Sequence, residues 1–280
     1  MRVGYLGPDG TVSHEAVLSA PGSEAFELLP QPTLHEAVAA VHDGAVDRAL
    51  VPIENSLEGS VTPTLDAIAF ETDDVVIVGE LRHPVHLHLV AAGPVALADV
   101  RVVVSHPQAS GQCGRFLRES LPGVPVLAAR STADAVRQVA GGFESGAAAI
   151  GTRGAANRYG CTVLREDVED DPGSETRFVW IARAGSAGPD AAGGRYKTAL
   201  VFWGAGSAGP GWLVRCLAEF AERDVNLTRI ESRPRRQRLG EYMFFLDLEG
   251  GTADPAVTAA VDGLREHADV VRVLGSFPAA

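Results

Sequence analysis

Four short segments of this 280-residue chain gather hydroxyl, amide and glycine residues in a pattern that suits anion binding. They are GPDGT at 7–11 with Ser13, ENSLEGSV at 54–61, SHPQASGQC at 105–113 and GTRG at 151–154, and each follows a short apolar run. Their glycines let backbone N–H groups approach a ligand, and their polar side chains sit where helices begin; such helix starts attract anions. One loop of this kind is equally an ordinary turn and cap, whereas four in register point to a site. One more segment and one residue of the second loop need weighing. Thr176 and Arg177 open an apolar run, where Arg177 could simply pair with the acidic run EDVEDD at 166–171, and Glu54 could be a cap or a salt-bridge partner.

His83, His86 and His88 in HPVHLH invite a metal reading, with 86 and 88 on one face of a strand, but no acidic or cysteine ligand is close in sequence. The expectation is packed or hydrogen-bonded histidines and no metal. His106 reads as a turn residue beside Pro107, and Cys113, lacking a histidine partner at a recognisable spacing, as a small buried group. Among 24 basic residues only Lys197 is a lysine, and it follows a Gly/Ala/Pro-rich stretch. Schiff-base, pyridoxal-phosphate and P-loop chemistries, each needing a placed lysine, are thereby set aside. The net charge of −12 argues against a nucleic-acid partner. Three scattered cysteines fit a reducing cytoplasm, and no apolar run approaches a bilayer span.

The elements that must position these residues are legible. Valine- and isoleucine-rich runs at 2–6, 48–53, 74–80, 86–92, 101–105, 147–151 and 177–184 alternate with helical stretches. Thr62 with Pro63, Ser131 with Asp134 and Thr33 with Glu36 read as helix starts. This βα alternation predicts a parallel or mixed sheet covered by helices, with ligands at the carboxyl ends of the strands. GSAGPDAAGG at 185–194 reads as a linker, and the acidity lies before it: residues 1–184 carry 13 basic and 24 acidic side chains, residues 198–280 carry 9 and 11. The last part reads βαββαβ, the ferredoxin-like plan. Its RPRRQR at 233–238 is better taken as a hairpin loop than as a nucleic-acid patch.

GPDGT, VPIENSLEGSV (51–61), SHPQA with Gln112-Cys113, STADAV (131–136) and Thr176-Arg177-Phe178 together resemble prephenate dehydratase. NLTRIESRP (226–234) followed by EYMFFLDLEG (241–250) resembles the ACT regulatory domain that follows that catalytic domain in the family. The resemblance implies a two-lobed, periplasmic-binding-protein-like α/β catalytic domain over 1–184, a linker over 185–197 and an ACT domain over 198–280. It implies decarboxylative dehydration of prephenate to phenylpyruvate without metal or organic cofactor. Thr176 would be the catalytic hydroxyl and Arg177 a carboxylate anchor, with Glu54 and Asn55 beside them; Thr11, Ser56, Ser105, Gln112, Thr152 and Arg153 would bind substrate. With one lysine in the chain, each fixed cation offered to a dicarboxylate would be an arginine, Arg177 first and Arg153 second. Gly211, Asn226, Leu227, Glu231, Ser232, Arg233 and Pro234 would bind L-phenylalanine as feedback inhibitor in a homodimer or homotetramer.

Three positions depart from the family pattern: Ser174 where Asn is usual, Val12 for an aromatic residue, and Trp212 for a small alanine after Gly211. A bulky indole at 212 is expected to reshape the effector pocket and weaken phenylalanine control. Arogenate dehydration, a non-aromatising prephenate decarboxylase and a catalytically silent ligand-binding sensor are the alternatives.

Overall fold

The structure, a computed structural model, describes residues 1–186, 195–204, 206 and 209–280. The chain opens with β1 (Arg2–Leu6), α1 (Val12–Ser19), β2 (Glu27–Gln31), α2 (Leu34–His42), β3 (Arg48–Asn55), β4 (Gly59–Ser60), α3 (Thr62–Phe70) and β5 (Val75–Pro84). It continues through β6 (His88–Ala91), β7 (Val102–Ser105), α4 (Pro107–Gln112), α5 (Gly114–Ser120), β8 (Val126–Ala128), α6 (Thr132–Ala140), β9 (Ala147–Gly151), α7 (Arg153–Tyr159), β10 (Thr162–Arg165) and β11 (Glu175–Arg183). Last come β12 (Tyr196–Trp203), α8 (Trp212–Ala221), β13 (Leu227–Pro234), β14 (Tyr242–Glu249), α9 (Pro255–His267) and β15 (Val270–Pro278). Residues 187–194 of the expected linker lie outside the described residues, and its last two positions, Tyr196 and Lys197, already belong to β12.

The α/β class is borne out. One sheet runs β2-β1-β3-β11-β5 with β4 beside β3, and a second runs β10-β6-β9-β7-β8. β1 with β2, and β7 with β8 and β9, pair in parallel, while β6 with β9 and with β10 pair antiparallel. Strands β2, β8 and β10 escaped the sequence reading because they are short and carry half-exposed or exposed residues instead of a buried apolar run. The histidine segment is also corrected: β6 begins at His88, so His86 lies between strands and does not share a strand face with it.

Contacts divide the chain into two compact units: Met1–Ala37 with Leu50–Val61 and Arg82–Phe178, and Val38–Ala49 with Thr62–Leu81 and Val179–Ala280. These limits are not the expected 1–184, 185–197 and 198–280, because β3, β5 and β11 each run from one unit into the other. In the first unit, α6 lays Val136 and Val139 on β7 and β9, among Val102, Val104 and Ala149. The helix starts read from sequence hold: Thr33 Oγ1 accepts from Glu36 N at 3.1 Å and Ser131 Oγ from Asp134 N at 3.0 Å.

In the second unit, the order β13-β14-β12-β15 with α8 and α9 is the ferredoxin-like plan, as expected. Its core joins Phe202, Phe220, Leu246, Leu248, Val261 and Leu264. A Cβ at Gly275 of β15 would lie 2.1 Å from the Ile77 carbonyl oxygen, so only glycine allows that backbone approach. Beside it the chain's one lysine has a structural task. Lys197 Nζ meets Glu80 Oε1 and Oε2 at 2.9 and 3.2 Å, and the Glu80 side chain is wholly buried. Removing one member of such a pair strands the other charge. Lys197→Met is therefore expected to cost about 3 to 5 kcal/mol in urea unfolding, and Lys197→Met with Glu80→Met to recover most of it.

Candidate active site

β3 and β11 are neighbours in the first sheet, and their ends bring Asn55 beside Thr176. Asn55 Nδ2 donates to Thr176 Oγ1 at 3.0 Å and to the Glu175 carbonyl at 3.2 Å, while its Oδ1 accepts from Leu57 N and Glu58 N at 3.0 and 3.1 Å. The amide's orientation is thus set on both sides, and Thr176 Oγ1, acting as acceptor, keeps its own proton for another partner. Both residues are buried. They line a cavity of about 240 Å³ with Ser13, His106, Gln108, Gln112 and Thr132 as further polar residues and Leu6, Pro52, Leu87 and Phe178 among the apolar ones.

First turns of four helices reach this cavity: Val12 and Ser13 of α1, Leu34 of α2, Gln108 and Ala109 of α4, and Thr132 of α6. Helix starts present N–H donors and the positive end of the helix dipole, so the cavity favours negative charge without a lysine or arginine among its lining residues. Among the described residues, His106 is its one ionisable lining group.

The expectation that Arg177 and Glu54 share this cleft is corrected. Consecutive strand residues point to opposite faces, so with Thr176 and Asn55 turned into the first cavity, Arg177 and Glu54 face away. They line a separate cavity of about 180 Å³ with Ser56, Arg82 and Glu175, and Arg177 Nη1 stands 3.6 Å from Glu54 Oε2. Ser56 is held there by the backbone, its Oγ accepting from Glu175 N at 3.0 Å.

Of the expected substrate contacts, Gln112 lines the Thr176 cavity, and its Nε2 lies 3.4 Å from Glu58 Oε1. Thr11 and Thr152 instead cap α1 and α7, accepting from His14 N and Ala155 N at 3.3 and 3.1 Å. Thr152 Oγ1 also donates to the Gly10 carbonyl at 3.0 Å, pinning the first loop. Gly10 has φ +86°, open to glycine alone at little cost. Ser105 is buried with its Oγ donating to its neighbour's carbonyl, and Arg153 is half exposed and pairs with Glu166 at 2.7 Å. Missed from sequence were Gln108 and the cavity-lining position of His106; the SHPQA loop was the signal for both. Val12 lines the cavity, and Ser174 Oγ is buried with no hydrogen-bond partner among the described residues.

Of the residues expected to bind the effector, Leu227 and Glu231 to Pro234 lie on the edge strand β13. Glu231 and Arg233 alternate with the exposed Ser232 and Pro234. Arg233 grips Asp66 of α3 through Nε and Nη2 at 3.2 and 2.8 Å. Asn226 is exposed, and Gly211, at φ +78°, is the N-cap of α8. Trp212 is turned into the core: its ring centroid lies 5.8 Å from Phe202 and 6.0 Å from Phe244, and its Nε1 donates to the His267 carbonyl at 2.7 Å.

Fold and site together define an α/β protein with a buried, amide-oriented hydroxyl in a cavity lined by helix starts, and with a ferredoxin-like part at its C-terminal end. The sequence model of the family described as prephenate dehydratase matches residues 3–186. A prephenate dehydratase of Mycobacterium sp. (strain JLS) is 41% identical, over 99% of this chain and 89% of its own. The crystal structure of prephenate dehydratase in complex with L-Phe from Arthrobacter aurescens has TM-score 0.89 at 38% identity, covering 99% of this chain and 90% of that one. GqqA, described as a novel type of quorum quenching acylase, has TM-score 0.87 at 30% identity, covering 100% and 98%. The chain belongs to the prephenate dehydratase family.

A larger cavity of about 760 Å³ adjoins in sequence, lined by Gly7, Pro8 and Ser131 where the Thr176 cavity has Leu6 and Thr132. Its arginines are engaged: Arg158 pairs with Asp9 at 2.6 Å, and Arg137 and Arg130 with Asp134 at 2.5 and 3.3 Å. Burial pushes the Asp134 carboxyl up, but hydrogen bonds from Arg137, from the Arg130 side chain and N–H, and from Gln138 outweigh it and hold the group at about 2 instead of 3.8. A carboxyl depressed on folding stabilises above its unfolded value, and the gain is lost as pH falls through the folded one. Asp134→Asn should thus lower stability by about 1 to 2 kcal/mol at neutral pH and match the parent near pH 2, read by urea unfolding at both pH values.

Proposed function

We infer that this protein is a prephenate dehydratase that makes phenylpyruvate for phenylalanine synthesis and is restrained by phenylalanine through its C-terminal part. The observation that carries the site assignment is the Asn55–Thr176 hydrogen bond inside a cavity ringed by helix starts. Prephenate, a dicarboxylate with a C4 hydroxyl, takes up one proton and yields phenylpyruvate, carbon dioxide and water. The C4–O bond breaks as the ring carboxylate leaves as carbon dioxide, and the electron pair of the broken C–C bond completes the aromatic ring. Two kinds of assistance are needed: a donor to the departing oxygen and a site that holds anionic charge.

Thr176 provides the first. Because its oxygen accepts from Asn55, its proton is directed to the leaving hydroxyl, and His106 is the cavity's ionisable group able to supply the proton that the reaction consumes. The starts of α1, α2 and α6, with Gln112, provide the second. Arg177 and Glu54 then act as a positioning pair behind the strand ends. Residues 1–184 form the catalytic part and 198–280 an ACT part; phenylalanine binds around Gly211, Asn226, Leu227 and Glu231 to Pro234, in a dimer or tetramer.

Incubation with prephenate tests this reading. Phenylpyruvate is the expected product, with kcat about 10²-fold lower in Thr176→Ala and in Asn55→Ala. Undiminished turnover in Thr176→Ala overturns the assignment, and a product that retains the C4 hydroxyl overturns the dehydratase reading. His106→Gln should lower kcat at least about tenfold while Glu54→Gln stays within about threefold; the reverse order would assign the proton-donor role to Glu54 instead.

With the indole in the core, its removal acts on folding first. Trp212→Ala should cost about 3 to 5 kcal/mol of stability. Trp212→Phe, which keeps the packing, should leave the phenylalanine concentration for half-inhibition within about threefold; a tenfold change would restore the indole as a shaper of the effector pocket.

A further inference from the structure

Two sequence features that the dehydratase chemistry does not use, the HPVHLH histidines and the EDVEDD acidic run, meet in the fold. His86 lies between β5 and β6, and its Nδ1 faces Glu169 Oε1 at 3.0 Å and Asp167 Oδ1 at 3.7 Å. One ligand atom from each of His86, Asp167 and Glu169 falls within 4.8 Å of the others. Some 80 residues of intervening chain hid this from the sequence.

The electrostatics of the cluster call for a cation. Its neighbours in the acidic run are served by arginine: Glu166 by Arg153, and Asp170 by Arg115, whose backbone N–H and side chain both reach it. Asp167 and Glu169 have no arginine or lysine partner among the described residues. The Glu169 side chain is 2% exposed, so its charge is expensive to leave uncompensated. A protonated His86 offsets one carboxylate charge, whereas a divalent ion replacing that proton offsets both.

We propose that His86 Nδ1 and the carboxylates of Asp167 and Glu169 bind one divalent ion of the zinc class. Bonds of about 2.0–2.2 Å to nitrogen and oxygen place neighbouring ligands of a tetrahedral ion about 3.3–3.6 Å apart, between the two separations seen here. Imidazole with two carboxylates and no thiolate suits Zn²⁺, Co²⁺ or Mn²⁺ and not Cu⁺. His86 and Asp167 are about half exposed, which leaves room for a water as fourth ligand. Outer contacts are in place: Glu169 Oε2 accepts from Leu87 N at 2.9 Å, and the Asp167 N–H donates to His88 Nδ1 at 3.1 Å.

The ion would be structural. It ties the segment carrying Val85 and Leu87, both lining the Thr176 cavity, to the segment leading into β11. Backbone hydrogen bonds already join them, from Val168 N to the Leu87 carbonyl and from Val85 N to the Ser174 carbonyl, both at 2.8 Å.

The test is Zn²⁺ titration of chelator-treated protein by calorimetry near neutral pH, beside thermal unfolding with and without the ion. One ion per chain and a raised Tm are expected. His86→Ala should lower the metal-free Tm somewhat, because it takes the imidazole from the buried Glu169 carboxylate, and should bind at least about tenfold more weakly and lose most of the Tm rise that Zn²⁺ gives the parent. His42→Ala, which removes another surface histidine–carboxylate pair, should bind as the parent does. Absence of saturable one-to-one binding, or binding unchanged in His86→Ala, overturns the proposal. No step of prephenate turnover depends on the ion, so this result and that of the Thr176→Ala experiment are independent.

Discussion

The candidate site hangs on one amide. Asn55 occupies the last position of β3 and spends all of its hydrogen-bonding capacity on fixing its surroundings: one end holds the following turn through Leu57 and Glu58, the other holds β11 through Glu175 and Thr176. A buried side chain with this many partners has one orientation, and it passes that orientation to the Thr176 hydroxyl. The helix starts around it matter because that hydroxyl has a defined direction. Without the amide, Thr176 Oγ1 would be a buried hydroxyl with a rotor to spare, and the same anion-favouring cavity would hold a substrate with no aimed donor.

The source of positive potential at this cavity differs from what the arginine-rich composition suggests. Guanidinium groups are abundant in the chain, yet those near the site are engaged by carboxylates: Arg177 with Glu54, Arg153 with Glu166, Arg158 with Asp9, Arg130 and Arg137 with Asp134. In a chain of net charge −12, carboxylates outnumber cations and capture them. The helix starts lining the cavity bring positive potential through the backbone dipole, although caps at Thr11, Thr33 and Ser131 each take one N–H of α1, α2 and α6. The same economy explains the lone lysine, whose buried pairing with Glu80 serves the packing of its unit.

Much of the architecture was readable in advance because it follows from local rules. Apolar runs became strands, Thr33 and Ser131 became caps, and the βαββαβ order after the linker became the expected ferredoxin-like sheet. Strands β2, β8 and β10 were not readable, since short half-exposed strands are held by neighbours and not by their own pattern. The opposite facing of Thr176 and Arg177 was readable from strand alternation and was overlooked because both fall in one motif. Trp212 illustrates the limit from the other side: its type announced a large ring, but whether that ring filled a surface pocket or the core depended on which face of α8 met Phe202 and Phe244.

By itself, the sequence determined the fold class, the motifs that mark the family, the exclusion of lysine-dependent chemistry and the residue types offered to an anion. Those properties depend on composition and on spacing within a few residues. Tertiary structure alone decided which of those residues share a cavity, that Thr152 caps a helix and Arg177 faces elsewhere, and that His86 meets Asp167 and Glu169. Such meetings join positions some 80 to 140 residues apart, and strand order and register, set by burial across the whole sheet, bring them together.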